Sequence, residues 1–208
     1  MTKYLIIDDH VVTRTGIKFL LFEKYSPADI YEAHNGETAR QLLSEHKFEL
    51  VIMDVQMPDT DTLSLMDHIR TNYPDSKVLV YSMSSENIYA RRFMKSGAMG
   101  FLTKDAPLKE VTAAIDSVLN SKKYISKNFA ETLAEDLFSQ KNANPFEDLS
   151  KREFEIAKLL LSGQTLTDIS QQLNIQTSTV GTHKHRLFEK LKVNNLLELK
   201  DLANSYKI

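Results

Sequence analysis

Five short runs rich in Val, Ile and Leu recur across the first 120 residues: "YLIID" (4–8), "DIYEA" (29–33), "ELVIMD" (49–54), "KVLVYS" (77–82) and "GFLTK" (100–104). Between them, over 12–24, 36–46, 61–72 and 85–96, the sequence turns helical in character, and a fifth such stretch, 107–120, follows the last run. Within "VTRTGIKFLLFEKY", Ile17, Leu20 and Leu21 share one helical face. Parallel strands need long crossovers, usually helices, so the alternation predicts a doubly wound α/β domain with a five-stranded parallel sheet covered on both faces. The third run is almost wholly apolar, as a central strand buried on both sides must be. Pro107 suits the first turn of a helix and Gly97 suits a helix end.

The pattern changes after Leu119. Residues 121–148 hold one amphipathic stretch, "NFAETLAEDLF", then "SQKNANPFEDLS", polar and broken by Pro145, which reads as a short helix and a linker. From Leu149 onward the chain is helical in character, over 150–162, 165–173, 176–191 and 194–204, predicting a small all-α domain of four helices. The expected division is therefore 1–120, a linker over 121–148, and 149–208. Residues 1–120 carry 13 Lys+Arg against 17 Asp+Glu, and residues 149–208 carry 9 against 6, a split that hints at a polyanionic partner for the C-terminal part. The chain has no cysteine, which excludes disulfides and thiolate metal sites and fits a reducing compartment. The N-terminus lacks the basic start and apolar core of a signal peptide, and no apolar stretch approaches the roughly 18 residues of a membrane span. A cytoplasmic protein without a membrane segment is expected.

The chemistry gathers where the strands end. Ligands of an open parallel sheet bind at the strands' carboxyl ends, beside the switch in strand order. Asp8 and Asp9 end the first strand, Asp54 the third, Ser82 the fourth and Lys104 the fifth, and strand order 2-1-3-4-5 brings all five to one surface. A single Asp at a strand end is usually a cap or turn former, but caps do not explain the whole set in this order. Three carboxylates suit a hard divalent cation such as Mg²⁺, while a lysine and a hydroxyl facing the same point suit a tetrahedral anion. An aspartate in such a place can itself be a nucleophile.

With "IIDDH", "VIMDVQMP", "VLVYS" and "GFLTKDAP" in this order and spacing, residues 1–120 resemble the receiver domain of a two-component response regulator, whose sheet is flavodoxin-like. The resemblance implies that Asp54 accepts a phosphoryl group from a sensor histidine kinase. It implies that Asp9, Asp54 and the Gln56 carbonyl bind Mg²⁺, with Asp8 holding a metal-bound water. Lys104 would anchor a phosphoryl oxygen, Ser82 would move toward it, and Phe101 occupies the place of an aromatic rotamer switch. Two features depart from the pattern. Phe101 has no phenol hydroxyl, so packing alone would choose its rotamer, and "MPDTDTLSL" lacks a glycine commonly found after "MP", which can change where the third helix starts.

In "LSKREFEIAKLLLSGQTLTDISQQLNIQTSTVGTHKHRLFEKLKV" (149–193), Ser150 and Glu153 form a capping-box pair, Gly163 ends a helix, and Asn174 sits where left-handed geometry is tolerated. A longer helix starts near Ser178 and carries Thr182, His183, Lys184, His185 and Arg186 within two turns, which fits a DNA-binding helix-turn-helix. The segment resembles the LuxR-type domain of the NarL/FixJ class, carried by Leu149, Glu153, Gly163, Ile169, Leu173, Ile175, Thr179, Val180, His183, Lys190, Leu191 and Val193. On that resemblance Thr182 and His185 would reach base edges, and Thr179, Lys184, Arg186 and Lys190 would lie nearer phosphates. Gly181 stands where the family usually has lysine, and glycine inside a helix costs about 1 kcal/mol against alanine.

The expected protein is a transcriptional regulator, homodimeric when active, that binds promoter DNA under control of phosphorylation. It would not be an enzyme beyond slow self-dephosphorylation. Two rivals differ in class. A phosphohydrolase with its nucleophile in strand one usually wants a second Asp two residues on, where this chain has His10. A regulator that binds protein instead of DNA is kept open by Gly181 and the modest basic charge.

Overall fold

The computed structural model describes residues 2–58, 60–138, 144–206 and 208, the side chains of 87 and 135–138 excepted. The chain divides into two compact units, Met1–Ala134 and Glu135–Ile208.

The first unit alternates β1 (Thr2–Ile7), α1 (Val11–Tyr25), β2 (Ala28–Ala33), α2 (Gly36–Glu45), β3 (Leu50–Met53), α3 (Thr62–Asn72), β4 (Lys77–Ser82), α4 (Glu86–Lys95), β5 (Gly100–Thr103) and α5 (Leu108–Leu119). All strand pairs are parallel and the order is β2-β1-β3-β4-β5. Every residue of β3 is buried, as its unbroken apolar run requires. Side chains alternate across a strand, so Tyr4 and Ile6 of β1 enter one core layer with Ile17, Leu20 and Leu21 of α1 and Val111, Ile115 and Val118 of α5. Tyr25 donates to Asp116 at 2.7 Å and Lys24 meets the same carboxylate at 2.7 Å, tying α1 to α5 at that layer's rim.

The turns follow local chemistry. Gly97 has φ +108°, where an L side chain is strained, and so closes α4 cheaply. The missing glycine after "MP" is answered by polar side chains. Asp61 caps α3 through the Ser64 N–H at 2.9 Å, and Thr62 Oγ1 donates to the Val55 carbonyl at 2.9 Å.

A sixth helix, α6 (Lys127–Phe138), follows α5. The irregular linker expected after it falls partly on 139–143, outside the described residues. Its remainder is not wholly irregular. Pro145–Asp148 forms a 3-10 turn capped by Asn144, with Phe146 buried, because Pro145 is pre-set for a first helical turn.

The second unit holds α7 (Lys151–Leu161), α8 (Leu166–Gln172), α9 (Thr177–Leu191) and α10 (Leu196–Ser205). Ser150 and Glu153 make the reciprocal capping box that starts α7. Thr165 and Asp168 do the same for α8, with Asp in the place where Glu or Gln is usual. Gly163 (φ +86°) and Asn174 (φ 49°) turn the chain after α7 and α8, and Phe154, Ile156, Ile169, Val180, Leu187 and Leu199 fill the core.

Candidate functional site

The sheet ladder itself aims the acidic residues. Beyond the strand ends, Asp8 N–H donates to the Ala33 carbonyl at 3.1 Å, Asp54 N–H to Ile7 at 2.8 Å and Lys104 N–H to Ser82 at 2.9 Å. Asp8, Asp54 and Lys104 are each the first residue beyond a strand and still held by a neighbouring strand's backbone, while Ser82 is the last residue of β4. Their side chains meet. Lys104 Nζ lies 2.6 Å from Asp8 Oδ2 and 2.7 Å from Asp54 Oδ2. Ser82 Oγ donates a short hydrogen bond to Asp54 Oδ1, which also accepts the Gln56 N–H at 3.1 Å. Phe101 is fully buried in β5, its ring turned into the packing.

The electrostatics favour a cation. Asp8 and Asp54 are buried, and Lys104 supplies one positive charge against three carboxylates. Burial alone would push the Lys104 ammonium down, but hydrogen bonds and charges from Asp54 and Asp8 outweigh it and hold its pKa above the usual lysine value. Donor atoms of Asp8, Asp9, His10 and Asp54 all lie within 4.8 Å of one another. His10 Nδ1 is 2.9 Å from Asp9 Oδ1 but out of line to donate, so that buried oxygen has no hydrogen bond among the described residues. An orphaned carboxylate oxygen in an excess of negative charge is what a divalent ion relieves. The cluster can chelate one.

Two participants were not singled out from sequence. His10 donates its backbone N–H to Asp8 Oδ1 at 2.8 Å and stands its ring against both aspartates. Arg14 donates from Nη1 to the Asp8 carbonyl at 2.7 Å and pairs with Glu32, bracing the turn that presents the acids. Chain adjacency hinted at His10. A lone arginine in an amphipathic helix carries no such signal.

In the second unit, Thr179, Thr182, His185 and Arg186 of α9 are exposed. Thr182 Oγ1 donates back to the Ser178 carbonyl at 3.0 Å, and His185 lies 3.5 Å from Glu189 one turn on. Lys184 is half-buried with its Nζ 5.2 Å from the Phe188 ring centre. Lys190, expected near phosphates, is committed inside the unit: its Nζ lies 2.7 Å from Glu153 Oε2 and 3.3 Å from the Asp148 carbonyl. Burial would raise the Glu153 pKa, but Lys190 and the Ser150 bonds outweigh it and hold it below the usual carboxylate value. His183 is lowered, first by burial and then by Arg152, and its Nδ1 has no partner among the described residues. A Cβ on Gly181 would meet nothing within 4 Å, so no packing demands a glycine there.

A doubly wound receiver-type sheet with this acid–lysine–hydroxyl cluster, joined to a helix-turn-helix unit, defines a two-component response regulator. Residues 4–116 match the family model described as response regulator receiver domain, and 147–203 match that of the bacterial regulatory proteins of the luxR family. The chain belongs to the response regulators, a family of regulators and not of catalytic enzymes. It is 36% identical over 204 residues to the response regulator GacA of Pseudomonas aeruginosa, covering 98% of this chain and 95% of that protein. It is 33% identical to the response regulator UvrY of Escherichia coli K12, covering 98% and 94%. Its fold is shared with RcsB from Salmonella enterica serovar Typhimurium bound to promoter rprA in the presence of phosphomimetic BeF3−, with TM-score 0.76, 21% identity and 98% of each chain covered. Among the described residues, no helix is long and apolar enough to cross a membrane.

Proposed function

We propose that this chain is a phosphorylation-dependent transcriptional regulator of the NarL/FixJ class, acting in the cytoplasm as the partner of a sensor histidine kinase. Residues 1–120 would receive the phosphoryl group and residues 149–208 would bind promoter DNA, as a homodimer when active. The observation that carries the reading is the buried Asp54 carboxylate, gripped by Ser82 on one oxygen and Lys104 on the other.

An Asp54 oxygen attacks the phosphorus of a phosphohistidine, forming an O–P bond as the P–N bond breaks and its electron pair returns to the ring nitrogen. The ring leaves as neutral imidazole because its other nitrogen already carries a proton. Asp8, Asp9, Asp54 and the Gln56 carbonyl would hold Mg²⁺, which when bound neutralises the transferring oxygens. Lys104 pairs with one phosphoryl oxygen and the Ser82 hydroxyl donates to another, while buried Phe101 fills the space that the Ser82 movement leaves. Thr182 and His185 would face base edges, with Thr179, Lys184 and Arg186 nearer phosphates. Lys190 would reach a phosphate only by leaving Glu153.

The test is labelling of the full chain by acetyl phosphate. One phosphoryl group per chain, dependent on Mg²⁺ and lost in Asp54→Asn, is expected. Undiminished labelling of Asp54→Asn, or labelling without a divalent ion, refutes the assignment.

A further inference from the structure

The stretch after α5 does not leave the first unit. Tyr124 forms a parallel bridge with Gly100 at the open edge of β5, its N–H donating to the Met99 carbonyl at 2.9 Å. Gly100 makes this approach possible, since a Cβ there would stand 3.2 Å from Tyr124 Cβ and 3.3 Å from its carbonyl oxygen. Two residues on, Ser126 does two jobs. Its Oγ accepts the Phe129 N–H at 3.0 Å, capping α6, and donates to Glu86 Oε2 at 2.6 Å. Glu86 is the first residue of α4, and Phe129 is buried. The other Glu86 oxygen, Oε1, is buried without a hydrogen bond among the described residues, so Ser126 is the partner that holds this carboxylate in place.

Glu86 is also four residues from Ser82. The turn between them is part of the site, because the Ser84 N–H reaches back to Ser82 Oγ at 3.3 Å. A short series of contacts therefore runs from Asp54 through Ser82 and the β4–α4 turn to Glu86, and from Glu86 to the cap of α6. Spatial continuity alone is not coupling, which requires an element whose two arrangements both ends bias. Glu86 opens α4 directly after the turn that Ser82 begins, so the first turn of α4 is the element that a displacement of Ser82 would reach first.

We propose that the Glu86–Ser126 hydrogen bond is a latch through which occupancy of the Asp54 site is passed to the linker helix α6. This rests on the reading of Asp54 as phosphoacceptor. With Ser82 drawn to the acceptor, Glu86 lies beneath Ser126 and α6 is capped and fixed. When Ser82 withdraws, the α4 turn moves and the latch opens. Glu86 and Ser126 are positioning residues that never touch the phosphoryl group.

The experiment is residue-resolved amide exchange on the full chain with Mg²⁺, with and without BeF3−, loading being followed by ¹⁹F NMR. The Phe129 amide should slow roughly tenfold on loading in the parent. Glu86→Ala should load normally and lose that slowing, Ser126→Ala should exchange fast in both states, and Ser126→Thr, which keeps cap and donor, should restore the response. A parent that loads BeF3− yet shows no change at Phe129, or a Glu86→Ala variant that keeps the full response, overturns the latch. Failure of the parent to load at all overturns the phosphoacceptor reading instead.

Discussion

Lys190 separates two accounts of one side chain. Lys190→Met keeps most of the aliphatic stem and deletes the ammonium that sits 2.7 Å from Glu153 Oε2. At that distance the bare Coulomb term is about 6 kcal/mol for an effective dielectric near 20. Lys190 is 41% exposed while Glu153 is only 5% exposed, so solvent screens part of that gain and the ammonium recovers hydration when released. What persists in the variant is a buried carboxylate holding only its Ser150 bonds, a loss of about 1–3 kcal/mol. The two units need not unfold together, so one global midpoint is a poor readout. Amide exchange resolved over α7 is better, and protection there should fall roughly 5- to 150-fold, given 1.36 kcal/mol per decade. The pH dependence checks the cause. A carboxyl whose pKa is lowered by folding contributes stability above its unfolded value, and loses it as pH falls through the folded one. The deficit of Lys190→Met should therefore be greatest near neutrality and narrow below the usual Glu value of 4.5. Unchanged α7 protection, with DNA affinity reduced and the salt slope smaller by about 0.9, would refute this and return Lys190 to a phosphate.

Two further outcomes follow from packing. Gly181→Ala should stabilise the second unit by about 1 kcal/mol, measured by exchange over α9, because the added Cβ has open space and relieves the helix of a glycine. Phe101→Tyr should destabilise the first unit by about 1–3 kcal/mol, measured by amide exchange over its sheet, because the ring is fully buried. A variant as stable as the parent would mean that the hydroxyl had found an acceptor or reached solvent.

Much of the site was legible because strand ends are punctuated in the chain. Asp8, Asp54, Ser82 and Lys104 each stand at the end of an apolar run, and a parallel sheet leaves such residues on one edge whatever the details of packing. The Ser150–Glu153 box and the turns at Gly97, Gly163 and Asn174 were legible for a similar reason, being contacts within a few residues. The 3-10 turn at Pro145 was hidden because proline marks both a break and a first turn.

What the amino-acid order determined by itself is what depends on short-range chemistry: the alternation of strands and helices, the caps, and the set of groups at the strand ends. Only the tertiary structure decided how charges were spent. Lys190 went to Glu153, 37 residues away, Arg14 to the Asp8 carbonyl, and Ser126 to Glu86, 40 residues away. A charge or hydroxyl on a helix surface looks the same in sequence whether it faces solvent, a nucleic acid or a buried carboxylate. Its partner is chosen by which faces the packed core brings together.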